Sequence, residues 1–205
     1  SQIGHGRKSF RVHGKFAAMP LEDRRLVAGL PPESTGWLGR MGGAGRFKHV
    51  VGAEPELLGK YLDRVPLSGR AADCVAQART FLEQATKIDG VGLSCASRLL
   101  TSRRPDLFFC VNNANRARAA RLFKDVGGFP RDVDAYMDIH QELWGLPFVR
   151  APRPPAGKYR VAWDMRVAML DRDAVLIRAP GQQPMSLPSA TLADSIAWKG
   201  DAGFS

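Results

Sequence analysis

The sequence is poor in the features that define several protein classes. It has only three cysteines, Cys74, Cys95 and Cys110, widely spaced, with no CxxC pair and no histidine at ligand distance. That argues against a zinc or iron–sulfur site and against a disulfide framework, and suits three small core residues in a reducing compartment. No run approaches the roughly 18 uninterrupted apolar residues needed to span a bilayer. The polar, basic start from Ser1 to Phe10 lacks the apolar centre of a signal peptide, so a cytoplasmic protein without membrane attachment is expected. Strict apolar–polar alternation is almost absent, which leaves little or no sheet. Acids are scarce too: 20 Asp and Glu against 30 Lys and Arg leave 205 residues with a net charge of +10. Such a surplus calls for an anionic partner, and nucleic acid is a better candidate than a membrane face.

What is present is helical periodicity. After a poorly patterned start, Pro20 opens a short helix to Leu30, and Glu33 to Arg40 forms another turn or two carrying Trp37. The glycine cluster Gly39 to Gly45 lacks the GK[ST] ending of a P-loop, so it is either a bend between helices or a backbone loop approaching a ligand. Leu57, Leu58, Tyr61, Leu62 and Val65 form one amphipathic stripe, and Ala72, Val75, Ala78, Leu82 and Ala85 another, on a helix from Ala71 to Thr86 capped by Ser68. Leu107 to Val111 is a short apolar extended piece. Asn112 to Asn115 can cap a helix from Arg116 to Lys124, and Asp132 to Leu143 is a further helix with His140 on its surface. Pro147 to Gly157 reads as an extended connector, and Tyr159 to Ile177 as helix. The chain is thus one helical domain over 1–178 followed by a loosely structured tail, 179–205.

The most informative stretch runs from Lys87 to Leu100. One helix stops, an apolar-Gly-apolar-Gly turn follows, and a second helix begins at once. The free N–H groups at its start form a candidate phosphate clamp through Gly90, Val91, Gly92 and Ser94. From Leu93 to Lys124 there are seven basic residues against one acid. Arg98, Arg103, Arg104, Arg116, Arg118 and Arg121 are accordingly candidate phosphate contacts.

Ile88-Asp89-Gly90-Val91-Gly92, the small-residue helix with Ala96 and Leu99-Leu100, and Val111-Asn112-Asn113-Ala114-Asn115-Arg116 together resemble the helix-hairpin-helix DNA glycosylase superfamily, which includes endonuclease III and the adenine and alkyl-base glycosylases. The 20-residue interval from Gly92 to Asn112 fits that family. More weakly, Gly39 to Val50, Arg104 to Cys110, Tyr136 to Phe148 and Trp163 to Asp171 resemble a bacterial branch associated with phage defence, including action on modified phage cytosines. The resemblance implies a two-lobed helical fold with a hairpin at 71–104 and a DNA-binding cleft. It implies a DNA glycosylase that flips out a modified or damaged base, in repair or antiviral defence, acting as a monomer on duplex DNA.

Two departures stand out. Asn112 occupies the position of the family's catalytic aspartate, which leaves three readings open: an Asp replaced by engineering, another acid in its place, or a domain that only binds. Asp106 is the reserve acid. Leu93 and Ser94 stand where lyase-competent members carry lysine, which implies base excision without strand cutting. Trp37, Gly43, Gly45, Phe47, His49 and Asn113 are candidate pocket residues, with Phe108, Phe109 and Trp163 as further aromatic walls. No metal or organic cofactor is implied beyond a monovalent cation at the hairpin. The alternative is a non-catalytic helix-hairpin-helix module that recognises DNA; an RNA-binding helical domain ranks last.

Overall fold

A computed structural model describes residues 2–30, 44–112, 116, 120, 128–145, 147–150, 164, 167 and 168. Among them the chain is helical and contains no strand. The elements are α1 (Gln2–His13), α2 (Leu21–Val27), α3 (Gly45–Ala53), α4 (Pro55–Leu62), a 3-10 turn (Ala71–Asp73), α5 (Val75–Ala85), α6 (Leu93–Arg103), α7 (Val133–Gly145) and α8 (Pro147–Arg150).

Helix α6 is the centre of the structure. Every residue from Cys95 to Arg103 is buried, because α1, α2 and α5 pack around it. The two predicted stripes supply much of the core: Leu58, Leu62 and Val65 from α4 and its end, Ala78, Leu82 and Ala85 from α5, joined by Phe81. Leu57, at the start of α4, and Ala72, in the 3-10 turn, stay exposed. The three cysteines are buried and unbridged, and burial pushes the thiols of Cys74 and Cys95 up to about 11.

Several expectations are corrected. The basic start is helix α1, held by tertiary packing rather than by its own pattern. Phe10 is fully buried, and Gly6 lets α1 approach α6 so closely that a Cβ there would stand 3.3 Å from Ser102 Cβ. The helix expected from Ala71 begins instead as a 3-10 turn, with α-helix from Val75. Its start is capped by Asp73, which accepts the Arg70 N–H at 2.7 Å, and not by Ser68. Pro147–Arg150 is a helical turn where an extended connector is expected. Leu107 to Val111 is buried, as its apolar sequence predicts, but it is no strand: Leu107 lies in a turn whose N–H donates to Arg104 O at 3.0 Å. The segments 31–43 and 169–205 and most of 113–127 and 151–166, with Trp37, Gly43, Asn113, Arg118, Arg121, Trp163 and the tail, lie outside the described residues.

Candidate nucleic-acid interface

The hairpin between α5 and α6 is built from short local bonds. Thr86 Oγ1 donates to the Leu82 carbonyl at 2.8 Å, Ile88 N–H to Ala85 O at 3.1 Å, and Val91 N–H to Ile88 O at 2.9 Å. Val91 is 2% exposed and anchors the turn in the core. The two glycines answer different needs. Gly90 has φ +73, and a Cβ on it would fall 2.5 Å from Arg46 Cβ on α3, so both conformation and contact demand glycine. Gly92 has φ −82, open to any residue, and among the described residues a Cβ there would meet nothing within 4 Å. Nothing among the described residues requires glycine at 92.

Gly92 is the N-cap of α6. Its carbonyl accepts the N–H groups of Cys95 at 2.9 Å and Ala96 at 3.1 Å. The N–H groups of Leu93 and Ser94 have no carbonyl one turn upstream. The helix start carries no side-chain cap and no acid in its first turn, so its positive dipole end is uncompensated.

The other candidate element is the segment 107–112, which is no strand: the N–H groups of Leu107 and Phe108 donate to Arg104 O at 3.0 Å each, and side chains reach further backbone groups. Tyr136 Oη donates to Phe109 O at 2.9 Å, Trp144 Nε1 donates to Leu107 O at 2.9 Å, and His140 Nε2 accepts Phe109 N–H at 3.4 Å. From the opposite side, Ser97 Oγ accepts Val111 N–H at 3.1 Å and donates to Ser94 O at 3.3 Å. A two-bond relay therefore ties the residue before Asn112 to the first turn of α6. Asn112 is half-buried and its Nδ2 lies 3.8 Å from Cys110 Sγ.

The cationic block behaves differently from expectation. Arg98, Arg103 and Arg104 are 1%, 3% and 1% exposed, because they belong to the enclosed central helix. They are structural and cannot be phosphate contacts on this surface. Arg103 donates to the carbonyls of Val65 at 2.6 Å and Asp63 at 3.0 Å, pairs with the Asp63 carboxylate at 3.3 Å and lies over the Phe10 ring. Burial draws its guanidinium down to about 10, still charged at neutral pH, and raises the Asp63 carboxyl. Arg104 donates to the carbonyls of Pro66, Ser68 and Gly69 and forks both Asp106 oxygens at 3.0 Å. Asp106 is thereby committed to an ion pair and is no reserve acid. Arg116 is exposed, with its guanidinium 5.1 Å from the Phe129 ring centroid.

The pocket candidates divide as well. Phe47, Phe108 and Phe109 are core, at 1% exposure or less. Gly45 opens α3 at the surface, and His49 is exposed, its Nε2 3.1 Å from the Glu54 oxygen that also takes Arg46 Nη1 at 2.9 Å. His140 is fully buried rather than superficial: it stands among the rings of Phe108, Phe109, Tyr136 and Trp144. Its Nδ1 lies 2.8 Å from Tyr136 O, and burial depresses the ring to about 3, so it is neutral with its proton on Nδ1. Sequence reasoning missed this ladder, although the spacing 136, 140, 144 was available as a signal. Among the described residues no group of three or more His, Cys, Asp or Glu is arranged to hold a metal ion, and no helix is long and apolar enough to cross a membrane. Set against models of protein families, characterised proteins and solved structures, the chain matches none.

Proposed function

We propose that the chain is a helix-hairpin-helix protein of the DNA glycosylase type, with a two-lobed helical fold that grips duplex DNA and presents a flipped base to position 112. The supporting observation is the relay Val111 N–H to Ser97 Oγ to Ser94 O, which couples Asn112 to the open first turn of α6. In this reading the N–H groups of Leu93 and Ser94 and the uncluttered backbone of Gly92 take a phosphate, with Arg116, Arg118 and Arg121 as further contacts. The partner is double-stranded DNA carrying a modified or damaged base. The protein acts as a cytoplasmic monomer, in repair or antiviral defence, without a resident cofactor.

Base excision breaks the bond between C1′ and the base nitrogen. Water supplies the new C1′–O bond, and its proton leaves with the base side of the reaction. Positive charge develops on the sugar, and an ionised carboxylate at 112 would stabilise it; an amide of the same shape lacks the charge. With Asn112, binding is expected to persist and turnover to be weak or absent. Leu93 and Ser94 cannot form a Schiff base, so the product is an abasic site that breaks only under alkali or heat.

A second reading, a module that binds DNA without chemistry, is favoured by one specific observation: position 112 is an amide and the nearby Asp106 is engaged by Arg104. One experiment separates the two. Duplex binding and base release are measured on a panel of normal and modified bases for the parent, Gly92→Glu and Asn112→Asp. Gly92→Glu should weaken binding to every sequence alike. Asn112→Asp should raise base release about a hundredfold or more. Equal, undetectable release by parent and Asn112→Asp leaves the binding module, and unchanged binding by folded Gly92→Glu removes the clamp.

A further inference from the structure

Three side chains of α7 have no part in the reaction just described, yet each reaches the same neighbour. Tyr136, His140 and Trp144 stand four residues apart, so they share one face of the helix. All three direct a polar ring atom at the backbone of Leu107 or Phe109. Core filling alone would be met by apolar rings; a buried hydroxyl, imidazole or indole N–H is costly unless bonded. Here each is bonded: the Tyr136 hydroxyl, the Trp144 N–H and His140 Nε2 to the same three-residue stretch, and His140 Nδ1–H to Tyr136 O at 2.8 Å. His140 also stacks on Phe109, with centroids 4.7 Å apart and planes 12° apart.

The stretch belongs to no sheet: the N–H groups of Leu107 and Phe108 turn back onto Arg104 O at 3.0 Å each, and side chains bond the backbone of Phe109 and Val111 beyond that turn. Ser97 fixes Val111 from α6 on the other side. Asn112 follows directly, one residue past the last anchor. We infer that Tyr136, His140 and Trp144 are positioning residues: they hold 107–109 from one side so that residue 112 keeps a fixed place relative to the first turn of α6. The inference rests on the proposed function only in taking 112 as the reacting position.

The test uses the full chain labelled with 15N and follows two signals: amide exchange at Phe109 and the side-chain NH2 resonances of Asn112. His140→Leu removes the acceptor, His140→Gln keeps an acceptor at the place of Nε2, and Tyr136→Phe removes only a hydroxyl. In His140→Leu and in Tyr136→Phe, Phe109 exchange should rise roughly tenfold, as expected for one lost buried bond, and the Asn112 resonances should move. His140→Gln should restore both, while duplex affinity stays within about twofold throughout. Unmoved Asn112 resonances in folded His140→Leu and Tyr136→Phe would overturn the inference, as would a His140→Gln that behaves like His140→Leu. Should His140→Leu not fold, Tyr136→Phe decides. A companion measurement on the Asn112→Asp background separates the two readings. A lower single-turnover rate in Tyr136→Phe at unchanged affinity supports positioning. Absence of any base release in that background strikes the glycosylase reading alone, since the Asn112 resonances still decide the inference.

Discussion

The two ends of α6 solve opposite problems. At the first turn, the N–H groups of Leu93 and Ser94 have no carbonyl one turn upstream, beside a glycine on which a Cβ would meet nothing within 4 Å among the described residues. At the last turn, two consecutive arginines are turned wholly inward, where they donate to carbonyls of Asp63, Val65, Pro66, Ser68 and Gly69. Those carbonyls belong to the loop between α4 and the 3-10 turn, which has no helix or sheet to satisfy them. A guanidinium offers five donors in a rigid fork, so one side chain can serve several carbonyls. The contrast teaches that a block of positive charge in sequence is not a patch of positive charge in space. Half of the six arginines counted toward a DNA-binding face are internal, and two of them stitch a loop.

The sharpest way to break the comparison is at Arg104. Replacing it with Ala strands Asp106 and three carbonyls in a buried setting, and unfolding by denaturant should show a loss of about 3 to 5 kcal/mol. Arg116→Ala, at an exposed position, should change stability by less than about 0.5 kcal/mol. Equal stability of Arg104→Ala and parent would mean that the C-terminal end of α6 is not held as described.

Next in size is the pH dependence of the ring ladder. In the unfolded chain the His140 ring protonates near 6.5, whereas in the fold it does not until about 3. Between these values the unfolded state binds one more proton, so stability rises with pH across the window and is fully present above it. As pH falls from 6.5 toward 3, the folding equilibrium should lose about tenfold per unit from this ring. The difference between parent and His140→Gln isolates that contribution from the carboxylates. Parallel curves for the two proteins in this window would contradict a buried, neutral imidazole.

The smallest effect distinguishes the two glycines of the hairpin. Gly90→Ala must adopt a left-handed conformation and displace Arg46, costing about 1 to 3 kcal/mol. Gly92→Ala should cost under about 1 kcal/mol, that of a poorer N-cap, and reveal itself instead in weaker duplex binding. Equal thermal destabilisation by both would erase the distinction between a glycine needed by the fold and one kept for a ligand.

These features differ in how far they could be read from sequence. The hairpin was legible because its signal is local: two glycines around one apolar plug, between helical stripes. The burial of Leu107 to Val111 followed from five apolar residues after a proline break. The role of Arg103 and Arg104 did not, since their carbonyl partners lie 35 to 40 residues upstream and only the packed loop brings them near. The same holds for α1, which packs on α2 and α6 with Gly6 set against Ser102. His140 was misread because helical spacing locates a face but does not say what covers it, and here the covering is the extended segment itself.

That segment carries a liability as well as a site. Leu-Phe-Phe-Cys-Val is apolar, rich in β-favouring residues and uncharged, the composition of a chain piece that pairs with copies of itself. In the fold rings from α7 take the carbonyls of Leu107 and Phe109 and the Phe109 N–H, Ser97 takes the Val111 N–H, Arg104 O takes those of Leu107 and Phe108, and the side chains are buried. Detachment of α7 would bare an unpaired edge of the kind that native proteins normally cover. The helix is therefore also a guard against self-association, and conditions that charge His140 should turn partial opening into aggregation rather than clean unfolding.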